Sequence, residues 1–219
     1  MNLLDGLNHY KADAGWWKFT LTIEKSAVEV VRLISSSGYR RNSAAGAAPR
    51  DLLIEIEKWK AMCLKEQTGN AERNSEEAVW NAFHGALNAR NDRDAILSIM
   101  QLTGFGSSYD EETGQRRAKR ATAVLRFLKP HEWGVVDWRT IAMLGCLKKA
   151  SFNVDKALML AKQEDADELR EALVLVDEQG ACAVNDEYRA MRAGSLLRAA
   201  DIDMAIFGLS MEAWPFRSF

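Results

Sequence analysis

Apolar residues recur at intervals of three and four along most of this chain, and that spacing constrains its fold more than any other feature of the sequence. The clearest stripe, near the N-terminus, consists of Trp16, Phe19, Ile23, Ala27, Val30 and Ile34. No stretch alternates between apolar and polar residues for long enough to predict a sheet. Only 3 prolines interrupt the 219 residues. The sequence therefore predicts an all-α domain of about ten helices.

Several short segments predict where helices begin. The small and polar residues 35–49 form a loop, and Pro49 is suited to start the helix that follows. The tetrapeptide that begins at Asn74 is a cap signature, in which Asn74 accepts from a free N–H and Glu77 lies three residues on. Asp201 is expected to cap the last helix.

Composition argues against several classes of protein. No run of about 18 apolar residues is present, so no transmembrane helix is expected. The N-terminus lacks the pattern of a signal peptide. The cysteines and histidines are scattered, at Cys63, Cys146, Cys182, His9, His84 and His131. Such spacing predicts no disulfide framework, metal site or iron–sulfur cluster, and it indicates a cytoplasmic protein that needs no cofactor.

Charge is distributed unevenly although the whole chain carries only −2. Residues 114–149 contain nine basic and two acidic residues, a balance of +7. Residues 151–190 contain four basic and ten acidic residues, a balance of −6. This asymmetry is typical of a protein with one anion-binding face. The alternative is that both segments are solvated helix faces, and charge alone favours this alternative.

The stretch between residues 91 and 144 combines residue types that carry chemistry. A glycine turn, "LTGFG", contains Gly104 and Gly106, and backbone N–H groups at such a turn can hold a phosphate. The next helix has Lys119 near its start. The segment "GVVDWR" then places Asp137 directly before another predicted helix.

These residues, "LTGFG…AKRATAVLRFL…VVDWR", resemble the helix–hairpin–helix (HhH-GPD) DNA glycosylase superfamily over about a quarter of the chain. The flanking sequence is most similar to uncharacterised bacterial members. The resemblance implies that residues 1–219 form a single two-lobed all-α domain, with the hairpin segment 92–148 between two helical lobes. Residues 107–118 are a departure from the family, whose hairpin is followed much sooner by its lysine.

The resemblance also implies an activity, which is the cleavage of the N-glycosidic bond of a damaged or modified base in duplex DNA. Asp137 corresponds to the essential carboxylate, and Lys119 to the lysine that forms a Schiff base in some members. The hairpin glycines would bind a DNA phosphate. Weak, salt-sensitive duplex binding is expected, and no membrane partner. The residues expected to contact DNA are Gly104, Phe105, Gly106, Arg116, Arg117, Arg120, Trp138 and Arg139. Phe105, Trp133 and Trp138 are the candidates to stack on bases or wedge between them.

Each of these residues also has a structural explanation. Asp137 can be no more than the N-cap of the helix that starts at Trp138. Lys119 can be a solvated or phosphate-contacting lysine, and the two glycines can form an ordinary turn between helices. The chain as a whole can be a non-catalytic DNA- or protein-binding module on the same scaffold.

Overall fold

A computed structural model of the chain describes residues 2–36, 38–39, 44–62, 69–106, 118–173 and 176–215. This part contains eleven α-helices and one short 3-10 helix, Ala71–Arg73, and no strand. The α-helices are α1 Leu3–Ala12, α2 Ala14–Ser36, α3 Ala44–Met62, α4 Glu76–Leu87, α5 Asp92–Met100, α6 Lys119–Leu128, α7 Trp138–Lys149, α8 Val154–Ala161, α9 Ala166–Ala172, α10 Glu178–Arg192 and α11 Ala199–Ala213. The predicted all-α class is confirmed.

Two helix starts differ from those that the sequence predicts. The apolar stripes predict no helix before Trp16, yet α1 precedes it, with Leu7 and Tyr10 buried. Pro49 lies inside α3 and does not begin it, because the alanine-rich segment before the proline is already helical. Alanine is the strongest helix former, which explains why the helix extends backwards through a segment that resembles a loop in composition.

Two residues that are predicted to cap helices have different roles in the structure. Ser75, and not Asn74, caps α4, with its Oγ accepting from the backbone N–H of Ala78 at 3.1 Å. Asn74 instead binds the backbone of Thr103, accepting from its N–H at 2.8 Å and donating to its carbonyl at 3.2 Å. Asp201 does contribute to the capping of α11, but it is the third residue of that helix. Its carboxylate accepts from the backbone N–H of Arg198.

The helices enclose a continuous hydrophobic core to which every segment from α1 to α11 except α9 contributes buried side chains. α1 and α11 approach most closely where two glycines face each other. A Cβ atom on Gly6 would overlap the carbonyl oxygen of Ala205, and one on Gly208 would overlap the backbone of Gly6. This contact fixes α11, a helix with eleven buried residues, in the centre of the fold.

Candidate functional site

Asp137 caps α7, as the sequence predicts. Its Oδ1 accepts from the backbone N–H groups of Arg139 at 3.1 Å and Thr140 at 3.2 Å. In turn, the Thr140 hydroxyl oxygen accepts from the backbone N–H of Asp137 at 3.1 Å, which completes a capping box. The carboxylate is therefore held at a fixed position at the start of the helix.

The other carboxylate oxygen of Asp137 forms an ion pair that local sequence does not reveal. Lys60, near the end of α3, donates from Nζ to Oδ2 at 2.8 Å. The two side chains are only 6% and 7% exposed, so the pair is buried. Lys60 continues the apolar stripe that includes Leu53 and Ile56, and a charged residue on a buried stripe is the one signal that points to it.

The charge on Asp137 results from a balance between burial and neighbouring cations. Burial alone would raise the pKa of this carboxyl group. The ammonium groups of Lys60 and Lys119, together with hydrogen bonds from Lys60 and Thr140, instead hold the pKa of Asp137 below its ordinary value. Asp137 is consequently ionised at neutral pH.

Lys119, the first residue of α6, lines the same cavity as Asp137. The cavity has a volume of about 40 Å³. Its other walls are formed by Val136, Trp138, Arg170, Leu173 and Val176. The backbone N–H of Ala118 donates to the carbonyl of Val176 at 2.7 Å, which joins the start of α6 to the segment after α9. The two residues that the sequence analysis singles out for chemistry therefore share one concave site.

A second cavity, of about 20 Å³, lies on the Lys60 side of Asp137. Aromatic side chains dominate its wall: Tyr10, Trp16, Trp59 and Phe207. It also contains Asp203 of α11, a buried carboxyl group that the sequence analysis treats only as part of a helix. Burial, with a smaller contribution from the charge of Asp137, raises the pKa of Asp203 to about 7. The Asp137 carboxylate thus separates a polar cavity from an aromatic one.

Hydrogen bonds fix the loop that precedes Asp137 at several points. The Val136 N–H donates to the Thr122 hydroxyl at 3.0 Å, and the Tyr188 hydroxyl donates to the Val135 carbonyl at 2.8 Å. The Gly134 N–H donates to Asn185 Oδ1 at 3.2 Å. A Cβ atom on Gly134 would overlap both Asp203 and Tyr188, so α10 and α11 pack directly on this loop. The carboxylate is preorganised by tertiary contacts on both sides.

The glycine turn requires its glycines. Gly104 and Gly106 have φ angles of 81° and 141°, which other residues rarely adopt. A Cβ atom on Gly104 would overlap the side chain of Asn70, and one on Gly106 would overlap Met100. Their phosphate-binding role stays a prediction, and residues 107–117, which follow the turn, lie outside the described residues.

Glu57 of α3 connects this turn to the rest of the site. Its carboxylate accepts from the backbone N–H groups of Gly69, Asn70 and Ala71 at 3.0–3.1 Å. Burial would raise the pKa of Glu57, but these hydrogen bonds hold it below its ordinary value. Arg120 approaches the same carboxylate at 3.6 Å and donates to the Gly104 carbonyl at 3.3 Å. Arg120 therefore binds groups inside the glycine turn while its side chain stays partly exposed at the surface.

Several side chains that the sequence predicts to contact DNA are buried in the structure, so they are not accessible to a base as expected. Phe105 is 1% exposed and packs beside Lys60 and Arg120. Trp133 is fully buried, and Trp138 packs against Trp214 with ring centroids 5.8 Å apart. These rings face protein because the apolar loop and helix starts that carry them are part of the core. Stacking on a base would need each ring to leave its packed position.

Arg139 is likewise buried, and its Nη1 donates to the Trp214 carbonyl at 2.6 Å. Its guanidinium group lies over the Trp138 ring at 4.8 Å. Arg139 therefore ties α7 to the end of α11, and its predicted contact with DNA stays a prediction. Arg116 and Arg117 lie outside the described residues.

The +7 balance of residues 114–149 overstates the charge that reaches the surface. Arg126 is fully buried, and it pairs with Glu24 at 2.9 Å. Lys148 pairs with Glu187 at 2.6 Å. The partners come from distant segments, which a count along the sequence does not include. A count of charges along the sequence therefore exceeds the charge that is available at the surface.

Among the described residues, no group of three or more histidine, cysteine or acidic side chains is placed to bind a metal ion. Within that same part of the chain, no helix combines the length and apolar character that a bilayer crossing requires. Comparison with family models, curated proteins and solved structures finds no match to this chain. The function is therefore inferred from the site itself.

Proposed function

We propose that this chain is a DNA-binding, glycosylase-like protein that cleaves the N-glycosidic bond of a damaged or modified base. In this proposal the helices form two lobes, and the hairpin that contains Gly104 and Gly106 lies between them and holds a DNA phosphate. One observation carries the proposal: Asp137 and Lys119 line one cavity, and the carboxylate there is ionised and fixed.

The chemistry follows from that pair. Breaking an N-glycosidic bond develops positive charge on the sugar, and a preorganised carboxylate stabilises this charge without reorganising. Asp137 is that carboxylate. A water molecule in the cavity, oriented by Asp137, can complete hydrolysis, since about 40 Å³ is enough for water-sized groups. Lys119 supplies a covalent route when its amine is neutral.

A nucleotide needs more room than either cavity offers, so its entry requires part of the wall to move. α9 is suited to that movement, because none of its seven residues is buried. Lightly packed elements open at low free-energy cost. The segment that carries Arg170 and Leu173 is therefore the side from which the proposed substrate enters.

A non-catalytic DNA- or protein-binding module is the second candidate, and one observation favours it. Both oxygens of Asp137 already have structural partners, with Oδ1 capping α7 and Oδ2 binding Lys60. These contacts explain an ionised carboxylate without catalysis. The two candidates differ in whether removal of the negative charge stops base release.

The test of catalysis compares Asp137→Asn with the double variant Lys60→Met/Asp137→Asn on duplexes that contain oxidised, alkylated or otherwise modified bases. The double variant removes both members of the buried ion pair, a change that is often neutral for stability. We expect base release to fall about 10²–10³-fold in both variants. The single variant Lys60→Met retains the Asp137 side chain and measures the effect of removing the lysine alone. Base release at the wild-type rate by the double variant contradicts the catalytic role, and no release by the wild type on any substrate favours the binding module.

Duplex binding is tested separately with Arg116, Arg117 and Arg120 replaced by alanine. Neutralising phosphates releases counterions, so the triple variant is expected to lose both affinity and salt dependence. Fluorescence anisotropy of a labelled duplex at several salt concentrations measures both quantities. Undetectable duplex binding by the wild type at low salt removes the basis for the DNA partner.

A further inference from the structure

Arg170 is the one basic residue in the acidic helix α9, and it lines the cavity that contains Asp137 and Lys119. Three acidic residues share its helix: Asp167, Glu168 and Glu171. Arg170 nevertheless forms no ion pair with any carboxylate of the described residues, whereas Arg189 and Arg198 pair with neighbouring acids. Arg170 is exposed, so it lies on the solvent side of this cavity.

Two basic side chains and one acidic side chain are found among the described residues that line the cavity. Lys119 and Arg170 supply two cations from separate helices. The carboxylate of Asp137 is the one acidic group among the described lining residues, and Lys60 pairs with it from the other side. A guanidinium group matches phosphate oxygens in two parallel hydrogen bonds, and the ammonium group of Lys119 is a second donor in the same cavity, so the two side chains suit a phosphate.

The backbone keeps the two cations within one site. The bond from the Ala118 N–H to the Val176 carbonyl holds the start of α6 against the segment that follows α9. Leu173 and Val176 complete the apolar wall between them. Arg170 is exposed, so an anion that its guanidinium group binds lies at the solvent side of the cavity.

We propose that Arg170 and Lys119 form a phosphate-binding site at the mouth of the Asp137 cavity, and that its ligand is a phosphodiester of the nucleotide whose sugar faces Asp137. This inference rests on the proposed function and adds to it a residue that positions the substrate. A phosphate held there sets the sugar beside the carboxylate. It also places the developing sugar cation between two anions, Asp137 and the phosphate.

The test measures binding of a fluorescein-labelled duplex that contains one tetrahydrofuran abasic site. The variants are Arg170→Gln, Arg170→Lys and the control Arg32→Gln. Arg32 is an exposed arginine of α2, a helix that contributes nothing to the cavity wall, and its substitution changes the net charge equally. Circular dichroism confirms that each variant is folded.

Arg170→Gln is expected to weaken binding about tenfold, as the loss of a charge-assisted hydrogen bond does. It should also lower the slope of log affinity against log salt by about 1, the effect of one lost phosphate contact. Arg170→Lys keeps the charge and most of the slope, and Arg32→Gln resembles the wild type. Equal affinities and slopes for Arg170→Gln and Arg32→Gln overturn the phosphate site.

A second arm distinguishes DNA from free phosphate as the source of the anion. Inorganic phosphate is added at constant ionic strength, and no displacement of the abasic duplex beyond that caused by chloride is expected. Displacement at millimolar phosphate that disappears in Arg170→Gln assigns the site to free phosphate and overturns the DNA phosphodiester.

The outcome is separable from that of the proposed function. Arg170-dependent binding without base release from any duplex leaves the phosphate site standing and contradicts the glycosylase activity. Base release with a KM unchanged in Arg170→Gln leaves the activity standing and contradicts the phosphate site.

Discussion

Replacing Asp137 with asparagine tests how the site is held together, because asparagine retains the cap and removes the charge. Asparagine caps helices about as well as aspartate, so a residue that only capped α7 would tolerate the change within a few tenths of a kcal/mol. The ion pair with Lys60 alters that expectation. Its atoms are 2.8 Å apart and both side chains are over nine-tenths buried. The variant therefore removes the carboxylate that pairs with a buried ammonium group.

The magnitude follows from the cost of breaking a buried ion pair. Breaking a buried pair by removing one partner typically costs about 3–5 kcal/mol, whereas replacing both partners by uncharged groups is often neutral. We expect Asp137→Asn to lower the free energy of unfolding by about 3 kcal/mol or more. The double variant Lys60→Met/Asp137→Asn should lie within about 1 kcal/mol of the wild type, since methionine matches the shape of the lysine stem.

Urea unfolding at neutral pH, followed by tryptophan fluorescence and circular dichroism, measures all four proteins of this double-mutant cycle. The interaction free energy is the difference between the double variant and the sum of the singles. A double variant less stable than either single, or an Asp137→Asn variant as stable as the wild type, refutes the idea that this pair anchors α7 to α3. Equal m-values across the set are the control for a common unfolded state.

The remaining predictions concern neighbouring residues. Burial raises the pKa of Asp203 in the folded protein to about 7, so the wild type loses stability as the pH rises from about 4 to about 7. Across that window the free energy of unfolding of Asp203→Asn should rise relative to that of the wild type by up to about 4 kcal/mol, which unfolding experiments at several pH values measure. Asp201 has a lowered pKa, so Asp201→Asn shows the opposite trend: its deficit is present at neutral pH and disappears on acidification. If Lys119 is the nucleophile, borohydride traps a protein–DNA adduct that Lys119→Gln abolishes; base release without trapping in the wild type assigns hydrolysis by water. Gly104→Ala should destabilise by about 2 kcal/mol or more, whereas Gly145→Ala, in an open helical position, should be neutral or stabilising; equal thermal stabilities for the two contradict the strain argument.

Features that depend on neighbouring residues were predictable from the sequence. The helical class follows from apolar spacing, which reports the buried face of each helix directly. The Asp137 cap involves N–H groups only two and three residues away. The requirement for glycine at positions 104 and 106 arises from a tight turn, and tight turns select glycine by local sterics. Errors arose where two local signals competed, as at Asn74 and Ser75.

The tertiary structure decided which charges meet. Lys60 reaches Asp137 across 77 residues, and the partners of Arg120 and Arg126 are equally remote in sequence. Helical periodicity marks a face as buried but does not specify the helix that covers it, so these pairs follow only from packing. The same packing buried Arg126 and Arg139 and brought Arg170 of an acidic helix to the cavity that contains Asp137 and Lys119. The sequence by itself determined where each functional group sits on its helix, and only the assembled core determined its partner, its exposure and its charge.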